Sequence, residues 1–498
     1  MTRLTFSTLT AAAIAGTASL AAADIPSHPR NINFPEVEFE PPAATDYRTE
    51  LNGIPVYLAP SSELPLVNIS FTFRAGGHLD PSDKVGLSSL TGQLMQTGGT
   101  ESLSPEQLDE ELAFLAADVS VGIGGSIGTA NLNTLTDNLD ESFALFMDMV
   151  RSPGFDEARF EVLKNQTIES MRQRNDDGLQ VLLREWDFLL YGVDSPDARR
   201  ATLASVESIT IDDMRAFHAR TIQPGNMIIA VAGDFEPREM LGRLSSALEG
   251  WDRGSRMAKP AENTHEFEPG VYYIKKEQAQ GQVLIGQRGL TRDDPDAVPV
   301  QVMNDILGGS GFTSRITNRV RTDEGLAYTA GSVFRNRVDT RGDFISYYFS
   351  KVPTVALAGR TVIEEIDRIR DQAVQTDELE TVKGNIIETF PRRFESKAGI
   401  LSTFVTDEWT GRDPDHWNTF RDRVGGVSPE DVQRVAREYL DPDNMAMLIV
   451  GPWDDIAVGN TASEPDPNRV VTMGDIKGGQ AKEIPMRDPL TLELPEQN

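Results

Sequence analysis

The sequence has no cysteine and only five histidines in 498 residues. Without cysteine, neither a nucleophilic thiol nor a thiolate ligand for zinc is available. The histidines lie too far apart in the chain for any two to share one helical turn: His28, His78, His218, His265 and His416. The sequence therefore excludes a metal site that is built on a compact histidine or cysteine motif.

Basic residues are also scarce. The chain has 47 Lys and Arg against 77 Asp and Glu, which gives a formal net charge of −30 at pH 7. Such a surface repels nucleic acids and anionic lipids, and the sequence contains no obvious basic stripe for phosphate binding. We interpret the acidity as favouring solubility. The length predicts two to four domains, and a hydrophobic content of 39% is sufficient for their cores.

The first 23 residues have the pattern of a cleavable export signal. Arg3 supplies the positive start, a short apolar stretch extends to Leu20, and Ala21-Ala22-Ala23 fits the cleavage pattern. The stretch is too short and too rich in Ala, Thr and Ser for a membrane anchor. We expect cleavage after Ala23 and a periplasmic or secreted protein. Residues 24–45, which include five prolines, predict an extended arm.

Two segments of the chain repeat each other. TIDDMRAFHARTIQPGNMIIAVAGD, from Thr210, aligns with SPEDVQRVAREYLDPDNMAMLIVGP, from Ser428, at an offset of 218 residues. Both copies indicate a capped helix, a turn and a buried apolar strand that ends in glycine. A further match, at an offset of 219, pairs Glu169 with Glu388. The repetition predicts an internal duplication.

The duplication predicts an α+β fold with two homologous domains. In each domain we expect a mixed or antiparallel sheet packed against helices, and we expect the two domains to form a clamshell. The predicted domains span residues 46–250 and 267–455. A polar linker at 251–266 joins them, and a tail follows at 456–498.

A Gly-x-Ser-x-Gly pattern from Gly124 to Gly128 matches the nucleophile elbow of serine hydrolases. That elbow requires a helix directly after the serine, but the polar sequence that follows contains no early helix. The preceding residues, Val119 to Gly124, alternate like a hairpin strand. We therefore predict a glycine-rich strand or bend here.

The stretch GLSSLTGQLMQTGGT, from Gly86 to Thr100, resembles the zinc-binding helix of pitrilysin/insulinase-type (inverzincin) metallopeptidases. That helix carries His-x-x-Glu-His, and in this register the motif falls on Ser89, Gly92 and Gln93. A catalytic zinc needs three imidazole, thiolate or carboxylate ligands, and its water needs a base. The resemblance therefore implies the fold of the family with a degenerate zinc motif and no metal in this chain.

Glu169 matches the third zinc ligand of the same family, so the resemblance implies a vestigial ligand at this position. An alternative is a helix-surface role. Glu388 occupies the corresponding place in the second copy, and in the family that copy binds no zinc. The alternative is favoured, because a residue type that recurs in both copies does not require a metal.

The second copy contains NDILGGSGFTSRITNRVRTDEGLAY, from Asn304 to Tyr328, which resembles the C-terminal signature of the family. The family's substrate-binding Arg and Tyr map to Arg321 and Tyr328, where a fixed cation and a phenol can stabilise negative charge on a scissile carbonyl. The alternative is that both residues only anchor a turn. The run Gly308 to Gly311 lacks the Gly-Lys-Ser/Thr ending of a phosphate-binding loop, so we predict a structural turn there.

Some bacterial members of this family are split into two chains, one with the zinc motif and one with the Arg and Tyr. The resemblance implies that this chain is an exported non-catalytic subunit of a heteromeric zinc metallopeptidase, inactive alone. A zinc-bearing homologous partner would supply the metal, and the pair would hold an unfolded peptide. Two alternatives stay open: a non-enzymatic peptide-binding or scaffold subunit, and an autonomous peptidase that uses other ligands.

Overall fold

The structure, a computed structural model, describes residues 39–462, 464, 466–476, 478 and 480–496. The predicted signal segment at 1–23, and the predicted arm as far as residue 38, lie outside the described residues. Those described from Pro41 onward belong to one compact unit. None of the helices in the described part of the chain is long and apolar enough to cross a membrane.

The first half of the chain forms a six-stranded mixed sheet. Its strands are β1 (Arg48–Leu51), β2 (Ile54–Pro60), β3 (Leu66–Phe73), β4 (Asp118–Gly124), β5 (Ile127–Leu135) and β6 (Met227–Gly233). Their order is β1-β2-β6-β3-β5-β4, and only β2 and β6 run parallel. Ser126 lies in the hairpin turn between β4 and β5, where Gly125 has a φ of +57°. The Gly-x-Ser-x-Gly pattern is therefore a turn between strands, as predicted.

Eight helices belong to the described residues of this half. They are α1 (Leu87–Thr97), α2 (Pro105–Phe114), α3 (Leu139–Arg151), α4 (Glu157–Arg172), α5 (Gly178–Tyr191), α6 (Leu203–Ser208), α7 (Ile211–Thr221) and α8 (Pro237–Leu248). Apolar side chains of α1, α3, α4, α7 and α8 pack on one face of the sheet. Val67, Ile69, Phe71 and Phe73 alternate along β3 towards this core, as strand periodicity requires.

The second half forms another six-stranded mixed sheet. Its strands are β7 (Gly270–Lys275), β8 (Gln280–Arg288), β9 (Ala327–Arg335), β10 (Asp343–Lys351), β11 (Ala446–Gly451) and β12 (Ala481–Glu483). Their order is β12-β7-β11-β8-β10-β9, with β9 at one edge.

The helices described in this half are α9 (Ala297–Asn304), α10 (Arg315–Thr317), α11 (Val355–Asp371), α12 (Thr376–Thr389), α13 (Lys397–Thr410), α14 (His416–Gly425), α15 (Pro429–Tyr439) and α16 (Trp453–Ala457). Two π-helical segments, Asp305–Gly309 and Asn318–Asp323, follow α9 and α10.

The predicted duplication is confirmed by the order of elements. Thr210 caps α7 and Ser428 caps α15, each through a capping box with the aspartate three residues later. The strands that follow, β6 and β11, hold the same central place in their sheets. The outer strands next to β2 and β7 differ, because β1 precedes β2 in the chain whereas β12 comes from the predicted tail.

The two halves exchange one helix each. Helix α5 packs on the second sheet, where Val181, Leu182 and Trp186 are fully buried against its strands. Helix α13 lies 219 residues later, has the same length and packs on β2 and β6 of the first sheet. An apolar helix of this kind must cover an apolar sheet face, and each finds that face in the other half.

Two arginines hold the carboxyl ends of the exchanged helices. Arg74, just after β3, donates from Nη2 to the Trp409 carbonyl of α13 at 3.2 Å, and its guanidinium lies 4.8 Å from the centre of the Trp409 ring. Arg288, at the end of β8, donates to the Leu190 carbonyl of α5 and stacks 4.6 Å from the Tyr191 ring. A cation at this end of a helix is favoured by the helix dipole.

We expect Arg74→Leu to destabilise the protein by about 2–4 kcal/mol, because Arg74 is only 2% exposed and joins α13 to the first sheet. Urea unfolding followed by circular dichroism measures the loss. Arg172→Leu is the matched control, since Arg172 is exposed and pairs only with Glu169 on its own helix, so its effect should stay within about 0.5 kcal/mol. Equal midpoints for the two variants would contradict this role of Arg74.

Candidate functional site

The positions that correspond to the zinc ligands lie on α1 and bind each other. Ser89 and Gln93 are exposed, and the Gln93 amide donates to the Ser89 hydroxyl at 3.1 Å and to its carbonyl at 3.3 Å. A neutral hydroxyl and an amide do not make the ligand set of a catalytic zinc. Among the described residues there is also no group of three His, Cys, Asp or Glu side chains that could hold a metal ion. The side chains present therefore do not fit the family's zinc.

Gly92 is buried where α1 touches the edge strand β4. A β-carbon at this position would lie 2.9 Å from the backbone nitrogen of Ile123, closer than such contacts allow. On the next turn, the Gln96 side chain accepts a hydrogen bond from the backbone N–H of Val121 at 3.2 Å. Ile123 of β4 therefore occupies the space that a glutamate side chain at position 92 would need, so the misfit is steric as well as chemical.

Glu169 lies near the end of α4 with its side chain exposed. Its carboxylate accepts hydrogen bonds from Arg172 at 2.9 Å and from Gln173 at 3.2 Å, both on the same helix turn. The hydrogen bond from Arg172 holds the pKa of Glu169 below its usual value. Within the described chain, no hydrogen bond or ion pair joins Glu169 to Ser89 or Gln93.

Arg321 and Tyr328, the pair singled out by the motif, lie together. The Arg321 guanidinium carbon is 4.1 Å from the centre of the Tyr328 ring and 4.6 Å from that of Phe312. Tyr328 is 75% exposed and Phe312 is 66% exposed. Neither Arg321 nor the Tyr328 hydroxyl has a hydrogen bond or an acidic partner among the described residues. The two rings thus hold a cation whose N–H groups remain available.

The backbone around this pair departs from regular structure at two points. Tyr328 is the extra residue of a bulge in β9, because Thr329 pairs with Phe349 and Ala327 with Ser350. Arg321 lies in the π-helical segment Asn318–Asp323. Bulges and π-helical turns re-aim side chains and recur at functional sites. Both irregularities turn the two side chains outward at the same edge of the second sheet.

The glycine-rich run before Arg321 packs tightly on β9. A β-carbon on Gly308 would lie 2.5 Å from the backbone nitrogen of Ser332, so only glycine fits there. The buried Asn304 side chain accepts a hydrogen bond from the Ser332 hydroxyl at 2.8 Å. Asp305 next to it has no side-chain partner in the described part of the protein, and burial raises its pKa to about 6.

A cavity of about 550 Å³ lies between α13 and the free face of the first sheet. Its floor carries polar side chains at alternate positions of β3 and β5, including Asn68, Ser70, Asn131 and Asn133, which bond to one another in pairs. We call it the polar cavity. Neither the zinc-motif positions nor Arg321 and Tyr328 line it. The sequence signal for this floor is the polar alternation in β5, which our sequence analysis missed.

The close approach of α1 to β4 predicts that Gly92→Ala destabilises the protein by about 1–3 kcal/mol and that Gly92→Glu lowers its folding stability further. Gly122→Ala on β4 is the control, because a β-carbon there meets no atom within 4 Å. Thermal unfolding of the three variants measures the difference. A Gly92→Glu protein as stable as Gly122→Ala would contradict the packing described here.

We expect Asp305→Asn to stabilise the protein at pH 8 but not at pH 4. Because the folded-state pKa is raised to about 6, the carboxyl group favours folding while it is protonated, and this contribution is lost as the pH rises from about 4 to 6. The difference in unfolding free energy between variant and wild type should grow by about 1–2 kcal/mol across this window. The prediction would be refuted if urea unfolding gave a constant difference in free energy between wild type and Asp305→Asn from pH 4 to pH 8.

Comparisons with known proteins agree with this geometry. Residues 208–386 match the family model described as the peptidase M16 inactive domain. The chain is 24% identical over 405 residues to the non-peptidase homolog YmxG of Helicobacter pylori, covering 80% of this chain and 91% of the relative. It is 21% identical over 407 residues to an uncharacterized zinc protease, YmxG, of Bacillus subtilis, and this match covers 80% of this chain and 97% of the relative.

Solved structures show the same fold. A peptidase M16 inactive domain from Pseudomonas fluorescens superposes with a TM-score of 0.72 at 23% identity, over 80% of this chain and 95% of that one. The periplasmic protease PqqL from Escherichia coli superposes with a TM-score of 0.67 at 16% identity, and the match covers 80% of this chain and 44% of PqqL. Residues 208–386 therefore carry the peptidase M16 inactive domain, and over 80% of its length the chain is similar to relatives of this kind, while it lacks the His-x-x-Glu-His motif of pitrilysin/insulinase-type metallopeptidases.

Proposed function

We propose that this protein is an exported, non-catalytic subunit of a heteromeric zinc metallopeptidase. The observation that carries the proposal is the Phe312–Arg321–Tyr328 stack, in which a half-buried cation lies beside an exposed phenol and no acidic side chain of the described residues pairs with the cation. In a chain of net charge −30, an arginine without an acidic partner is free to meet negative charge on another molecule. The rings fix its position, so little side-chain entropy is lost on contact.

The role of the pair is to position a peptide and to stabilise an oxyanion. The guanidinium and the phenol hydroxyl both donate hydrogen bonds, and both project from an edge strand whose bulge turns Tyr328 outward. Donors held in place before the reaction stabilise developing charge on a carbonyl oxygen without reorganisation. Their contribution is greatest in the transition state, so they act on turnover more than on binding.

The remaining chemistry belongs to the partner. Ser89, Gly92 and Gln93 offer no imidazole or carboxylate, and α1 is packed against β4 where the glutamate would lie. We infer that a homologous subunit with His-x-x-Glu-His supplies the zinc and the general base, and that this chain alone does not cleave peptides. The predicted signal at 1–23 supports export, and one relative in structure is titled a periplasmic protease.

A second candidate function is peptide binding without cleavage. The polar cavity favours it, because its amide and hydroxyl side chains could pair with an extended peptide backbone. In that case the protein would act as a scaffold or holding subunit, and Arg321 and Tyr328 would contribute to binding only.

A reconstitution experiment separates these functions. The chain is mixed with an exported homologue that carries His-x-x-Glu-His, and single-turnover cleavage of an unfolded peptide is followed. We expect activity that neither chain has alone, and we expect Arg321→Ala or Tyr328→Phe to lower the rate by about 10²–10³ without dissociating the complex.

Two variants make the same chemical changes elsewhere. Arg368→Ala removes an exposed guanidinium, and Tyr273→Phe removes a hydroxyl that, among the described residues, bonds only to Glu483. Both should retain the wild-type rate. If the Arg321 and Tyr328 variants also stay within about twofold of wild type at matched assembly, the catalytic role is wrong and the scaffold function remains.

A further inference from the structure

Two adjoining cavities in the second half share a wall of three arginines and a tryptophan. Their volumes are about 360 and 320 Å³, and Arg292, Arg393, Arg412 and Trp417 line both. We call the pair the arginine cavity. It is separate from the Arg321–Tyr328 pair, which lines neither part. The three arginines come from the loop before α9, the segment before α13 and the turn after it.

The three arginines of this wall differ in their contacts with carboxylates. Arg292 binds both oxygens of Asp293, and Arg412 lies 3.4 Å from Asp293 and 3.6 Å from Asp407. Arg393 has no carboxylate within 4 Å in the described chain. Its guanidinium instead lies 4.4 Å from the centre of the Trp417 ring, and that of Arg412 lies 5.0 Å from the same ring. Arg393 is therefore held by an aromatic ring and not by a direct ion pair with a described residue.

A half-buried histidine, His416, lies beside these arginines. His416 lines the larger part of the cavity, and burial together with the nearby Arg412 and Arg423 lowers its pKa to about 4. A neutral histidine beside several arginines indicates a site that disfavours a further cation. The same field favours an anion.

The opposite side of the cavity offers hydrogen-bond acceptors. The Asn336 side-chain oxygen is buried there without a donor, and the Asp305 carboxyl group also lines it. A buried acceptor without a partner costs free energy that a ligand N–H or O–H could recover. Apolar walls are contributed by Val298, Phe334 and Phe420.

We propose that the arginine cavity binds a carboxylate that has an N–H donor and an apolar group next to it. Arg393, with Arg412 and Arg292, takes the carboxylate, since a guanidinium binds both of its oxygens. Asn336 accepts the N–H, and the aromatic walls cover the apolar part. This chemistry is offered both by the carboxyl terminus of a peptide and by a small N-acyl amino acid.

The position of the cavity favours access from the polar cavity. Ser402 and Thr406, one turn apart on α13, line both the polar cavity and the smaller part of the arginine cavity. A chain end could therefore reach the arginines along α13. The assignment rests on the second half and α13 alone and does not depend on the proposed function or on a partner subunit.

Calorimetric titration of the full chain tests the assignment. The probes are N-acetyl-trialanine with a free carboxylate, the same tripeptide as a carboxyl-terminal amide, and N-acetylalanine. We expect the amide to bind wild type about tenfold or more weakly than the acid, and Arg393→Gln to weaken acid binding by a similar factor. Arg392→Gln is the matched control, because Arg392 is adjacent and exposed but lines neither cavity.

The probes also identify the source of the ligand. If N-acetylalanine binds as tightly as the tripeptide acid, with the same dependence on Arg393, the ligand is a small acid. If only the tripeptide acid binds, the ligand is a peptide terminus. Equal affinity for acid and amide would overturn the proposal, as would equal binding by the two arginine variants or no binding by either acid at millimolar concentration. Unchanged thermal unfolding of Arg393→Gln verifies that its fold is intact.

Discussion

The exchange of helices α5 and α13 is the contact on which the rest of this structure depends. Each helix is buried against the sheet of the other half, and each is fixed at its carboxyl end by an arginine that follows the corresponding strand. Separating the halves would expose both helices and both sheet faces to water, at a cost proportional to the apolar area uncovered. The two halves therefore belong to one compact unit, and α13 contributes walls to the cavities beside it.

Helix α13 shows how this constraint shapes the sites. It covers β2 and β6 but leaves the polar face of β3 and β5 open, which creates the polar cavity. Its other side, with the turn that follows it, forms part of the arginine cavity. Glu408 in its last turn accepts hydrogen bonds from Arg48 and Tyr57 of the first sheet, so the helix cannot slide along that sheet. One exchanged helix thus borders two cavities of different chemistry.

The arginines of this acidic chain fall into two kinds according to what their guanidinium groups contact. Arg315, Arg319 and Arg335 each bind carboxylates directly and stabilise the second half. Arg321 and Arg393 instead lie over aromatic rings, and among the described residues no carboxylate lies within 4 Å of either guanidinium. Stacking on a ring holds a guanidinium in place without neutralising it. Both of our proposals for ligand contact therefore fall on arginines of the second kind.

Local patterns in the sequence determined much of this protein. The repeat at offsets of 218 and 219 residues predicted two related sheets, and Ser89, Gly92 and Gln93 leave α1 without the imidazole and carboxylate side chains of the zinc motif. The resemblance of the second copy to the family signature singled out Arg321 and Tyr328, which the structure brings together. These features could be predicted from the sequence because they depend on residues close in the chain or on similarity between the copies.

The tertiary structure alone decided the helix exchange, the contact of Gly92 with Ile123, the bulge at Tyr328 and the meeting of Arg292, Arg393 and Arg412. The reason is physical: these contacts join segments tens to hundreds of residues apart, and neither periodicity nor motif spacing records which distant surface an apolar helix will cover.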